Sequence, residues 1–66
     1  MKEKVFEAIK RAGANGIRLR YIGSYVGVWH PHCLPAVVEL LAEGRIYEKT
    51  IGRGWEAYIK YYVKEQ

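Results

Sequence analysis

Cys33 is the only cysteine in a chain of 66 residues. No internal disulfide can form, so packing alone must hold whatever fold the chain adopts. A domain this small buries only about 60% of the surface its unfolded chain exposes, which leaves room for one core and no second domain. Half of the residues are hydrophobic, enough to build that core. The expectation is a single domain spanning 1–66. An unpaired cysteine fits a reducing compartment, and a cytoplasmic location is expected. The opening MKEKVFEAIKRAG sets charges between its apolar residues. It lacks the unbroken apolar run of a signal peptide, and no later stretch is long enough to span a bilayer, so no membrane partner is expected.

Apolar spacing divides the chain into short elements. Val5, Ala8, Ile9 and Ala12 recur at helical intervals, with Phe6 on the shoulder of the stripe, and predict a first helix over 2–12 that stops at Gly13. Asn15-Gly16 marks a turn, after which Ile17 points inward from a very short strand. Leu19, Ile22 and Val26 line one face of a second helix that Gly27 terminates. Gly23 weakens that helix by about 1 kcal/mol relative to Ala, which predicts the close crossing of another helix there. A third helix is expected from Pro31 or His32 to Glu43, capped by Gly44. Its rows Cys33, Val37, Leu40 and Leu34, Val38, Leu41 predict a broad buried stripe. RIYEKT, IGRG and WEAYIKYYV then read as a β-hairpin. In the second arm Ala57, Ile59, Tyr61 and Val63 share one face, and Glu56, Tyr58, Lys60 and Tyr62 the other. Gly52 and Gly54 flank Arg53 at the tip.

This order resembles the winged helix-turn-helix family, and the resemblance covers nearly the whole chain. GIRLRYIGSYVGV is similar to the family's second helix, with Gly23 at its usual alanine position and Val26 at its leucine position. CLPAVVELLAEGRIY is similar to its third helix and the exit into the wing. Cys33, Val37 and Leu40 fall eleven, seven and four places before Gly44, a spacing common in that helix. The implied fold is α+β, a three-helix core with a short strand and a C-terminal two-stranded β-hairpin wing. Members of this family bind DNA, bind RNA, or join proteins to one another.

A net charge of +4 fits a polyanionic partner and also simple solubility. All seven acids are Glu; with eleven Lys and Arg, the composition is thermophile-like. No constellation for catalysis or for a cofactor is present, and no enzymatic activity is expected. His30, His32 and Cys33 offer three metal donors, but the helix pattern buries Cys33, so a core thiol is the expected role and no metal site is assigned. In the DNA-binding members of the family the start of helix 2 and the wing meet the phosphate backbone. The resemblance carries that role to Arg18, Arg20, Lys49 and Arg53. His30 and His32, at the helix 3 N-terminus, would approach the major groove, and Tyr21 and Trp55 complete the candidate set. Double-stranded DNA is the expected partner and transcriptional regulation the expected role.

One feature opposes simple base readout. Between Pro31 and Glu43 there is no Lys or Arg, so bidentate Arg–guanine contacts from this helix are impossible. Only His30, His32, Pro35, Ala36 and Glu39 are expected to face outward. The aromatics open two alternatives. Tyr21, Tyr25, Trp29, Trp55, Tyr58 and Tyr62 cannot all be buried in so small a domain. Exposed Tyr and Trp fit a homodimer or protein interface, and also RNA or single-strand binding through base stacking. Trp55 by itself is expected to pack across the hairpin strands.

Overall fold

The computed structural model describes residues 1–64, so the last two positions of the 1–66 domain lie outside the described residues. Helix α1 spans Lys2–Ala12, strand β1 Ile17–Arg18, helix α2 Leu19–Val26, helix α3 Leu34–Ala42, strand β2 Ile46–Ile51 and strand β3 Tyr58–Val63. Single 3-10 turns sit at Gly13–Asn15, His30–Cys33 and Gly54–Glu56. Three helices and a three-stranded antiparallel sheet of order β1-β3-β2 make an α+β domain compatible with a winged helix. Among the described residues no helix is long and apolar enough to cross a membrane.

Helix α1 has the predicted bounds. Glu3 stands in its first turn and Lys10 and Arg11 in its last, each matching the sign of the helix dipole. It buries Val5, Ala8 and Ile9 against Ile22, Cys33, Val37 and Leu40, and β2 and β3 close the core with Ile46 and Tyr61. Helix α2 ends at Gly27 in the left-handed conformation (φ 89°, ψ 26°), as its sequence indicates. Gly23 also has the reason expected of it. A Cβ there would lie 2.7 Å from the His30 Cα and 2.8 Å from the Val28 carbonyl oxygen. The crossing element is the His30–Cys33 turn rather than a regular helix.

That turn corrects the expected start of the third helix. A continuous α-helix from Pro31 would need the Pro35 N–H to donate to the Pro31 carbonyl, and proline has no N–H. The Leu34 N–H donates to the Pro31 carbonyl instead, tightening this stretch into a 3-10 turn, and α3 begins only at Leu34. The buried stripe is also narrower than expected. Cys33, Ala36, Val37 and Leu40 are buried, whereas Leu34 and Val38 are 43% and 56% exposed. Of the second row only Leu41 packs against the core, because no element covers the flank that carries Leu34 and Val38. Ala36, expected outside, is buried because it falls three residues after Cys33 and four before Leu40, on the same helical face.

In the hairpin, β2 begins at Ile46 and β3 at Tyr58, so Trp55 and Glu56 lie in the intervening turn and not in the strand. Tyr61 pairs with Ile17 of β1 and Glu48 of β2. Its ring is buried, and desolvation, with the Glu48 charge as the second cause, holds its hydroxyl pKa above the ordinary tyrosine value.

Gly23→Ala should destabilise the domain by about 1–3 kcal/mol, although Ala is the better helix former, because the new methyl meets backbone that cannot move aside. Urea unfolding measures this; a stabilised variant would show that α2 and the His30 turn are free to separate.

Candidate nucleic-acid interface

Carboxylates stand beside cations over the helical side of this domain. On the helical side they neutralise one another. The Lys2 ammonium lies 2.7 Å from Glu43, and the Arg45 guanidinium contacts Glu3 at 3.2 Å and Glu43 at 3.5 Å while lying over the Phe6 ring. Tyr25 donates its hydroxyl hydrogen to Glu7 and accepts one from Arg11. A shallow depression along α1 is lined by Glu3, Lys4, Glu7, Lys10 and Arg11, a mixed set in which carboxylates offset most of the positive charge. Hydrogen bonding to Arg45 lowers the Glu3 pKa, and hydrogen bonding to Lys2 lowers that of Glu43.

The candidate residues stand elsewhere. Arg18 and Arg20 are exposed at the junction of β1 and α2, where the chain turns from strand into helix without a side-chain cap. They line a groove with His30, Ala57, Tyr58 and Ile59, between the start of α2, the His30 turn and the start of β3. Arg20 and His30 also line an adjoining recess with Ser24 and Trp29. No carboxylate lines either depression. The fold therefore gathers three of the predicted residues, Arg18 and Arg20 from the β1–α2 junction and His30 from the turn that follows α2.

His30 corrects the expectation of an exposed helix-terminal histidine. It is half-buried against Gly23, and its Nδ1 is buried with no hydrogen-bond partner among the described residues. His32 remains exposed, its ring 5.8 Å from that of Trp29. Tyr21 is exposed on α2.

At the hairpin tip Arg53 is exposed between two glycines of positive φ, Gly52 at 87° and Gly54 at 61°. Trp55 follows it and is 92% exposed. It packs across no strand, which corrects the cross-strand expectation: the 3-10 turn at Gly54–Glu56 carries it off the ladder. Lys49 is exposed but does not join the groove. It lies on the sheet face turned away from the helices, its ammonium 5.6 Å from the centre of the Tyr62 ring.

That face holds what the sequence reading missed. Opposite residues of an antiparallel pair share a face. Arg18, Lys60 and Lys49 are therefore neighbours in one row across all three strands. Grouping Tyr58, Lys60 and Tyr62 on one side of β3 was possible from alternation. The partners from β2 were not, because the register depends on the six residues between the strands.

Cys33 is fully buried in the core, and burial raises its thiol pKa. Among the described residues no cluster of three or more His, Cys, Asp or Glu side chains is placed to hold a metal ion. In comparisons with protein-family models, curated proteins and solved structures, nothing matches this chain.

The depressed Glu3 and Glu43 pKa values set the sign of an acid response. Their ion pairs contribute stability above the unfolded carboxylate range and lose it as pH falls through the lower folded values. Glu43→Gln should flatten the acid limb of a melting-temperature profile; an unchanged limb would show that these exposed pairs contribute nothing to the fold.

Proposed function

We propose that this chain is a winged-helix domain that binds double-stranded DNA and acts as a small transcriptional regulator. The observation that carries the reading is the acid-free groove in which Arg18, Arg20 and His30 converge beside the hairpin. Arginines from the start of α2 clamp one phosphate backbone, and the His30 imidazole lines the same groove. Arg53, held out between two glycines, enters the minor groove, where a narrow A·T tract attracts a guanidinium.

In this reading α3 contributes little hydrogen-bonded readout. Its outward side chains include Leu34, Pro35, Val38 and Glu39, with His32 just ahead of it. Leu34 and Val38 suit thymine methyl groups, and Glu39 can accept from a cytosine amino group. Sequence preference then arises as much from groove width at the hairpin as from base contacts.

A second reading is favoured by one observation. Trp29, Leu34 and Val38 expose apolar surface within a short stretch of chain, at 70%, 43% and 56%. Such surface fits a protein partner or a second copy of the domain.

Duplex affinity measured by fluorescence anisotropy should fall steeply with added salt. Arg20→Ala and Arg53→Ala should each weaken binding and reduce the log–log salt slope by about one unit. A flat salt response, or full affinity in both variants, would remove the electrostatic account. A concentration-dependent dimer in sedimentation, lost on Trp29→Ala with duplex affinity intact, would favour the second reading.

A further inference from the structure

The outward face of the sheet is arranged in three rows. Tyr47 and Tyr62 form the first, Lys49, Lys60 and Arg18 the second, and Ile51 and Tyr58 the third. Three cations side by side across a sheet repel one another, since like charges directly opposite are destabilising. A carboxylate would relieve that repulsion, yet among the described residues none lies on this face; Glu48 points to the other side with Tyr61. Each cation rests instead on a neutral group. The Arg18 guanidinium lies 4.4 Å from the centre of the Tyr58 ring, Lys49 caps Tyr62, and the Lys60 ammonium donates to the Asn15 carbonyl oxygen at 3.0 Å. None of these partners removes charge, so the row stays positive.

The first row is a ready stack. The Tyr47 and Tyr62 rings are parallel within 13° with centres 5.2 Å apart. Tyr62 lies against Gly16, where a Cβ would meet ring atoms at 2.6 Å, so the stack is fixed from below. Tyr47 ends it and is 40% exposed.

We propose that this face binds a single-stranded nucleic acid, with phosphates along Arg18, Lys60 and Lys49 and bases stacked on Tyr47 and Tyr58. Charge complementarity selects a polyanion, and flat rings on both sides of the cation row select one whose bases are unpaired and free to stack. A duplex keeps its base faces internal and gains nothing from the tyrosines. The two readings share Arg18 and Tyr58, which also line the groove, and differ in Arg20, His30 and Arg53 for the duplex against Tyr47, Lys49 and Lys60 for the single strand.

The test is anisotropy with labelled oligothymidylate and oligouridylate of about a dozen nucleotides, within the range of single-strand site sizes. Saturable binding is expected, with a log–log salt slope of about −2 for three phosphates neutralised. Whichever polymer binds more tightly identifies DNA or RNA as the source. Tyr47→Ala should weaken binding about tenfold, while Tyr47→Phe retains it. Lys49→Glu should weaken binding at least as much without lowering the melting temperature, because it sets a carboxylate opposite Lys60. Lys10→Glu, the same charge change on α1, should have little effect on either. Arg20→Ala should spare single-strand affinity while impairing that for duplex, which separates failure of one reading from failure of the other. The proposal is overturned if neither polymer binds, if Tyr47→Ala binds normally, if Lys10→Glu matches Lys49→Glu, or if polyglutamate displaces the oligonucleotide equally well.

Discussion

The outward face of the sheet follows from the direction in which Tyr61 points. Its ring is buried between the strands and the helices, paired with Ile17 on one side and Glu48 on the other. A strand has a period of two, so an inward Tyr61 forces Lys60 and Tyr62 outward, and the register then fixes which residues of β1 and β2 join them. A slip of one residue would bring Lys60 into the core and cost far more than the sheet could return. Core packing thus dictates the pattern of an exposed surface that makes no contribution to the core.

The same logic separates the charges. Glutamates that stand near cations on the helical side form ion pairs with Lys2 and Arg45. Exposed pairs of this kind add little stability, typically below about 1 kcal/mol each. Their larger effect is to leave positive charge uncompensated elsewhere, at the groove beside His30 and across the sheet. A net charge of +4 understates how positive those two surfaces are.

Much of the architecture was legible in the sequence because it depends on local rules. The bounds of α1, the stop at Gly27 and the close approach at Gly23 follow from periodicity and glycine chemistry. The onset of α3 was not anticipated, although its cause, the missing N–H of Pro35, is written in the chain. The Leu34 and Val38 row misled because periodicity reports an apolar stripe and not whether anything covers it. Of the candidate residues, Arg18, Arg20 and His30 line one groove, although the sequence set the two arginines with Lys49 and Arg53 and placed His30 with His32. Lys49 was misplaced relative to them because strand register is a long-range property, and for that reason the cation row was invisible until β2 and β3 were paired.

The repulsion stored across the sheet gives salt a double action. Ions that screen Arg18, Lys60 and Lys49 from one another ease the folded state. The same ions compete with any phosphate for those three groups. The domain is thus at its least relaxed in dilute electrolyte, where the proposed polyanion would be held most strongly, and such a ligand and counterions would be alternative ways of quieting the same row.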